Sequence, residues 1–378
     1  MQEAPGPHPL RRTRCAGRLG SLIFIASKHP YHPATGLDGK PDHLMLSRRQ
    51  FISTLALASV GGCRALQNVK PPVSTAVQCC WQEGLEPQTI AIVGDVQRTG
   101  ILEMSMLGRT QNDREREAIL AAIAKDAPDM LLMLGDQVVL GDADEGWSYF
   151  DQIMTPVHQA GIPVRAMLGN HDYEGSLHAL CVSNFCDRFP HQRDEHHGLV
   201  MLGRIALITL DSNFKHLGEG GVEEQARRYK EMLSELDNNP DVRGIVVASH
   251  HPPYTNSDLS SSSELRTVRN MFAAPFLAAR KTRLYLSGHI HSYERFVSGD
   301  KTFVVSGGGG GPRREVSISR GRPYTNDAYR KEVLRPFHYI RMKVREDSLA
   351  CEVMMLRKKS SRDYTFSAGD RFSVGLYG

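Results

Sequence analysis

The chain has 378 residues, 40% hydrophobic and 23% charged, an ordinary globular make-up with room for one large or two ordinary domains. Its formal charge of +4 comes from the first 63 residues, where eight Lys or Arg stand against three acids; beyond Cys63 the chain carries −1. That balance demands no basic face, so no nucleic-acid partner is expected. No stretch is long and apolar enough to cross a bilayer as a mature helix. The seven cysteines (Cys15, Cys63, Cys79, Cys80, Cys181, Cys186 and Cys351) form no paired CxxC knuckles, which argues against a structural zinc site.

Residues 1–44 are rich in Pro, Arg, His and Gly without sustained periodicity. They read as a disordered stretch, or as an extension upstream of a true start at Met45. The character then changes. Ser47-Arg48-Arg49-Gln50-Phe51-Ile52 opens an apolar run to Val60 and is similar to a bacterial twin-arginine export signal. Val60-Gly61-Gly62-Cys63 resembles a lipoprotein cleavage box, in which Cys63 would carry a lipid anchor. Residues 45–63 are therefore expected to be a signal peptide read by the twin-arginine export machinery, and residues 64–86, with Pro71-Pro72, a tether. The expected location is periplasmic, or membrane-anchored as a lipoprotein, in a bacterium.

The folded region is expected over 87–378. Short apolar runs predict strands at Ile90–Val93, Met130–Leu134, Val164–Leu168, Ile205–Leu210, Gly244–Ala248, Arg283–Leu286 and Thr302–Val305. Helical patterns lie between several of them, at Arg114–Ala127, Trp147–Ala160, Glu223–Leu236 and Glu264–Arg280. The alternation implies an α/β domain with buried sheets. After Arg335 the pattern is strand-only (His338–Val344, Leu349–Leu356), as for antiparallel closure of a sheet. Cys181 and Cys186 fit either a local disulfide, if the chain is exported, or two reduced thiols on a helix.

Polar residues gather where the strands end. Gly94-Asp95-Val96-Gln97 follows the first, Gly135-Asp136 the second and Gly169-Asn170-His171-Asp172 the third; later strands lead into Ser249-His250-His251-Pro252-Pro253-Tyr254 and Gly288-His289-Ile290-His291. Ligands bind outside the carboxyl ends of strands in open α/β sheets. Each element alone is weak, since Asp95 or Asp136 could cap a following helix. Together they form a set of N/O donors suited to two divalent or trivalent first-row ions, Fe, Zn or Mn. Residues two apart on an extended segment share a face, so His289 and His291 can each reach one of two neighbouring ions. Asp136 can bridge those ions and Asp95 can hold the outer one. Two ions roughly 3.5–4 Å apart clamp the attacking and leaving oxygens of an in-line phosphoryl displacement.

This ordered set resembles the calcineurin-like metallophosphoesterase superfamily over roughly residues 88–310. Gly288-His289-Ile290-His291-Ser292-Tyr293-Glu294-Arg295, the later glycine run from Gly307 and His250-His251-Pro252-Pro253-Tyr254 are similar to the purple acid phosphatase branch. The resemblance implies a four-layer α/β/β/α sandwich of two mixed sheets flanked by helices. It assigns Asp95, Asp136 and His291 to a first metal, and Asp136, Asn170, His250 and His289 to a second. His171 would protonate the leaving oxygen, with Asp172 orienting it. Asn170 is also a candidate substrate contact, and His251 fits either a phosphate contact or a supporting or solvated histidine. Tyr293, Glu294 and Arg295 would be scaffolding; Arg313 and Arg314 fit either a phosphate contact or a solvated loop.

Two departures stand out. Gln97 occupies the place of the superfamily's usual first-motif His, and Val139 the place of the purple branch's Tyr. Gln97 can offer only a neutral amide oxygen, so the first site is expected to bind more loosely or to prefer a harder cation, and no purple chromophore is expected. The function so implied is an exported, metal-dependent phosphoester hydrolase of the acid-phosphatase-like monoesterase kind, making hydroxide available for in-line attack on a small phosphate ester. The alternatives are a phosphodiesterase on the same site, or a catalytically weak cell-surface binding protein of the same fold.

Overall fold

The computed structural model describes residues 86–360 and 363–377. The expected upstream stretch, twin-arginine signal and cleavage box at Cys63, and the tether up to residue 85, lie outside the described residues. Two six-stranded mixed sheets organise the rest. In the first, β1 (Thr89–Val93), β2 (Met130–Met133) and β3 (Val164–Ala166) run parallel, and β10 (His338–Val344), β11 (Ser348–Lys358) and β12 (Tyr364–Gly375) continue it antiparallel from β1. In the second, β5 (Ile205–Leu210), β6 (Gly244–Ser249), β7 (Thr282–Ser287) and β9 (Lys301–Ser306) are parallel, with β4 (Gly198–Leu202) and β8 (Tyr293–Ser298) as antiparallel edges.

The central strands are apolar on both faces because each face is covered. Alternate residues feed different cores. Ile90, Ile92, Leu132, Leu207, Val246 and Leu286 fill the layer between the sheets. Ala91, Val93, Leu131 and Met133 turn outward to helices α2 (Asp113–Asp126), α3 (Asp144–Gln159) and α5 (His178–Arg188). On the other side, Ile208, Val247 and Tyr285 meet α6 (Phe214–Asn238) and the short helices α7 (Ser263–Val268) and α8 (Ala274–Ala278), which a π turn over Arg269–Ala273 joins. These are the four layers of the expected α/β/β/α sandwich.

Several boundaries differ from the sequence expectation. β3 stops at Ala166, two residues short of Leu168, although the Met167 N–H still donates to the Met133 carbonyl on β2. Helix α6 starts nine residues before Glu223, kinked at Gly218 (φ 67°). Strands β4, β8 and β12 and helices α1 (Ile101–Leu107) and α5 carry too little period to be read ahead of the structure. Cys181 and Cys186 are free, buried thiols on α5, not a disulfide. Their Sγ atoms point to different acceptors, the Glu174 and Gln192 carbonyls.

Candidate metal centre

Every candidate ligand lies just beyond a strand's carboxyl end. Asp95 follows β1, Asp136 follows β2, Asn170 opens the single-turn helix α4 (Asn170–Tyr173) after β3, His250 follows β6, and His289 and His291 follow β7. Asp95, Asp136 and His289 have φ of 61°, 56° and 66°. Left-handed backbone at three non-glycine residues costs free energy and persists where the surroundings enforce it, commonly at functional sites. The enforcing bonds are visible. The His289 N–H donates to both Asp95 carboxylate oxygens at 2.9 and 3.0 Å, and the His171 N–H donates to Asp136 Oδ1 at 2.9 Å. Gly135 (φ 97°) is required for a second reason: a Cβ there would lie 2.5 Å from His250 Nδ1.

The donors form two sets, Asp95–Asp136–His291 and Asp136–His250–His289, each with ligand atoms within 4.8 Å of one another, and Asp136 belongs to both. In the first, His291 Nε2 lies 3.3 Å from Asp95 Oδ1. In the second, His250 Nε2 lies 3.2 Å from Asp136 Oδ2, and Asn170 Oδ1 lies 3.2 Å from His250 Nε2 and 2.9 Å from His289 Nδ1. The ring orientations suit metal binding. His250 Nδ1 donates to the Leu134 carbonyl and His291 Nδ1 to the Pro312 carbonyl, both at 2.8 Å, so each ring keeps Nε2 for a cation. Gln97 Nε2 is 3.4 Å from Asp136 Oδ2 and 3.2 Å from His291 Nε2, while its Oε1 is buried without a hydrogen-bond partner. The amide nitrogen faces the Asp136 carboxylate and the His291 ring, so Gln97 offers Oε1 to a cation only with its amide turned over. The two donor sets, with these ring orientations, fit two metal ions.

The buried groups hold one another's charge: burial pushes the Asp136 carboxyl up, but His250, His171 and His289 outweigh it and hold it well below the carboxylate range. Burial pushes His250 down, and the charges of Asp136 and Asp95 carry it to about 9. For His289, burial and then the neighbouring His251 and His250 hold the ring well below its usual value, in the neutral form a ligand needs.

His171 stands beside Asp136 without joining either set. Its Nδ1 is 3.1 Å from the Val139 carbonyl and 3.1 Å from Glu174 Oε2. Burial lowers its pKa, but Asp136 and Glu174 raise it to about 10. The sequence expectation for Asp172 needs correcting. Its carboxylate does not orient His171; it accepts the N–H groups of Gly169, Asp136, Gln137 and Val138 at 2.8–3.3 Å and so shapes the Asp136 loop. Glu174, three residues after His171 and at reach in the sequence itself, holds the position expected of Asp172. The His251 N–H donates to Ser212 Oγ and its Nδ1 lies 2.9 Å from the same hydroxyl, while its ring packs 4.3 Å from that of His289. Burial and the His250 charge push His251 down to about 3, so it is neutral.

The other sequence candidates are supports. Glu294 is fully buried and accepts from Thr255 Oγ1 (2.5 Å) and the Asn256 N–H (2.7 Å), pinning the chain that follows His250 and His251. Tyr293 and Arg295 both reach Asp370. Arg313 stacks on Phe337, and Arg314 pairs with Asp258 at 2.7 Å. Arg116 is a further support that the sequence alone did not reveal. Arg116, fully buried, donates to the carbonyls of Gln97 (2.6 Å) and Gly310 (3.1 Å). Its signal was a charge on the stripe of Ile119, Leu120 and Ile123 that α2 buries.

Two cavities open beside the centre, about 480 Å³ on the His171 side and about 430 Å³ beside Asn170, His251 and His289. A larger depression of about 610 Å³, between Lys230 and Ala278, touches no candidate ligand.

Two overlapping N/O donor sets at the strand ends of paired mixed sheets define a dinuclear metallohydrolase architecture. The model of the calcineurin-like phosphoesterase family matches residues 88–293, over half of the chain, and the chain belongs to that family of phosphoesterase enzymes. Among solved structures it is similar to GAP50, the anchor in the inner membrane complex of Plasmodium (14% identity over 77% of this chain and 90% of that one, TM-score 0.54), which shows the shared fold. PhoD (11%, 77% and 71%, TM-score 0.49) and a dimetal phosphatase from Danio rerio (13%, 76% and 99%, TM-score 0.49) also align. No curated protein matches.

Proposed function

We propose that the chain is an exported phosphomonoesterase working at a dinuclear metal centre. The observation that carries the reading is the single carboxylate Asp136, shared by both donor sets with His171 at its side. Asp95, Asp136, His291 and Gln97 would hold one cation and Asp136, Asn170, His250 and His289 the other. When bound, the pair supplies a nucleophile near neutral pH and neutralises charge on the phosphate. The protein's own residues do the rest. With Nδ1 engaged by Val139 and Glu174, His171 offers Nε2 to hand a proton to the leaving oxygen. His251, neutral and with Nδ1 engaged by Ser212, offers its Nε2–H to a phosphate oxygen, as does the Asn170 amide on the same cavity. Asp172 and Arg116 keep the Asp136 and Gln97 backbones where these groups converge.

Metal analysis paired with hydrolysis of p-nitrophenyl phosphate and bis-p-nitrophenyl phosphate tests the reading. Two metals per chain and faster monoester turnover are expected. Faster diester turnover would make the enzyme a phosphodiesterase; fewer than two metals and no turnover under any added divalent ion would make it a binding protein of this fold. Motif likeness at Gly288–Arg295 supports the purple acid phosphatase branch, while Val139 in place of the branch's Tyr means a loaded protein without purple colour. Export rests on Ser47–Ile52: changing Arg48 and Arg49 to Lys is expected to strand the precursor in the cytoplasm, and undiminished secretion would overturn the export reading.

A further inference from the structure

Resting on that hydrolase reading, we infer that the cavity beside His171 receives the alcohol portion of the substrate, and that this portion is apolar. The cavity begins where the two loops of the first donor set leave it: Gln97 leads into Arg98–Ile101 and Asp136 into Gln137–Leu140, and both segments line it together with Tyr149, His171 and Glu174. Its volume, about 480 Å³, is that of a small-molecule pocket and far exceeds what a phosphate needs. His171, the group placed to protonate the leaving oxygen, forms part of its wall, so a departing alcohol lies inside it. The 430 Å³ cavity across the centre is instead walled by Ser212, Lys215, His216, His251 and Glu264.

The wall chemistry selects the occupant. Val138, Val139, Leu140, Ile101 and the Tyr149 ring give the apolar surface, and Leu140 and Ile101 remain 45% and 79% exposed at its mouth. Large aliphatic side chains left in water beside a reactive centre mark a surface meant to be covered. The charged groups at the rim are already committed. Arg98 pairs with Asp113 (3.3 Å) and Glu145 (3.7 Å) and lies over Tyr149 at 4.7 Å, and Glu103 pairs with Arg109 at 2.6 Å. Among the described lining residues the cations are His171, which faces the leaving oxygen, and Arg98, whose Nη groups are held by Asp113 and Glu145, so an alkyl or aryl phosphate suits this cavity better than a nucleotide or polyphosphorylated sugar.

The test compares ethyl and hexyl phosphate, whose leaving oxygens are chemically matched, on the full-length, metal-loaded protein, with p-nitrophenyl phosphate and bis-p-nitrophenyl phosphate as controls. Each methylene taken from water is worth about fourfold, so kcat/KM for hexyl phosphate, with four more methylenes, is expected to exceed that for ethyl phosphate by on the order of thirtyfold when between two and three of them are buried and about 250-fold when all are. Ile101→Asp and Leu140→Asp, made at solvent-reaching positions outside the core, are each expected to cut that ratio at least about threefold. A wild-type ratio within twofold of unity, or one that survives both substitutions, overturns the inference and leaves the hydrolase reading standing. Turnover of none of the four esters overturns that reading and the inference with it.

Discussion

The two halves of the metal centre are built to different standards. The second set gathers two imidazoles, an amide oxygen and a carboxylate, and His250 is locked by its bond to Leu134. The first has two carboxylates and one imidazole, and beside it stands Gln97, a neutral amide whose nitrogen faces Asp136 and His291 and whose oxygen has no hydrogen-bond partner. Carboxylates and amide oxygens are hard donors and imidazole is borderline. The two halves should therefore differ in affinity and in preferred cation: the second suits zinc- or iron-like ions, the first a harder and more exchangeable one.

Substitutions can break or sharpen that contrast. The largest effect is expected for Asp136→Asn, the one change that touches both sets: metal content falls below two per chain and turnover drops by about three orders of magnitude or more, read by elemental analysis and p-nitrophenyl phosphate hydrolysis. Two retained metals would show that Asp136 is not shared. Next comes His171→Ala, which should leave metal content intact and lower kcat by roughly 10²–10⁴; unchanged kcat would remove His171 from its role. A smaller effect is expected at Gln97. Replacement by His adds a borderline donor to the weak half, so a calorimetric zinc titration should show the weaker step tighten by on the order of tenfold while the stronger step stays put. Movement of the stronger step would mean that the halves are wrongly divided.

The smallest effect is one of stability, on the second half's support. Burial, against the bonds from Thr255 and Asn256, pushes Glu294 from its ordinary 4.5 up to about 7. Between those values the unfolded chain has released this proton and the native protein has kept it, so stability falls as pH rises through that window. Glu294→Gln should flatten the fall, by up to about 3 kcal/mol, in thermal melts run from pH 4.5 to 8. An unchanged slope would show that Glu294 is not buried as a neutral acid.

Much of the site was legible because its chemistry is local to strand ends. Asp95, Asp136, Asn170 and His250 each follow an apolar run, and a run buried on both faces is readable without knowing its neighbours. Their supports were less so. Arg116 serves Gln97 and Gly310 from a helix, Ser212 serves His251 from the loop after β5, and Asp172 serves the Asp136 loop rather than the adjacent His171. Nothing local specifies those pairs. Strand β12 escaped because an edge strand, with a bulge opposite Val353 and Met354, lacks the two-sided burial that makes a strand apolar.

By itself, then, the sequence determined the kinds of donors, their order and the strand ends that carry them, since backbone alternation and turn chemistry act over a few residues. Only the tertiary structure decided which donors meet. Asp95, Asp136 and Asn170 come from one sheet, and His250, His289 and His291 from the other. Packing the sheets face to face over Ile92, Leu132, Val246 and Leu286 aligns their carboxyl ends and brings Asp136 within 3.2 Å of His250. The same packing sets His171 beside its cavity. Burial of apolar surface, which is non-directional, supplies the force, and the register of those side chains sets where the ligands land.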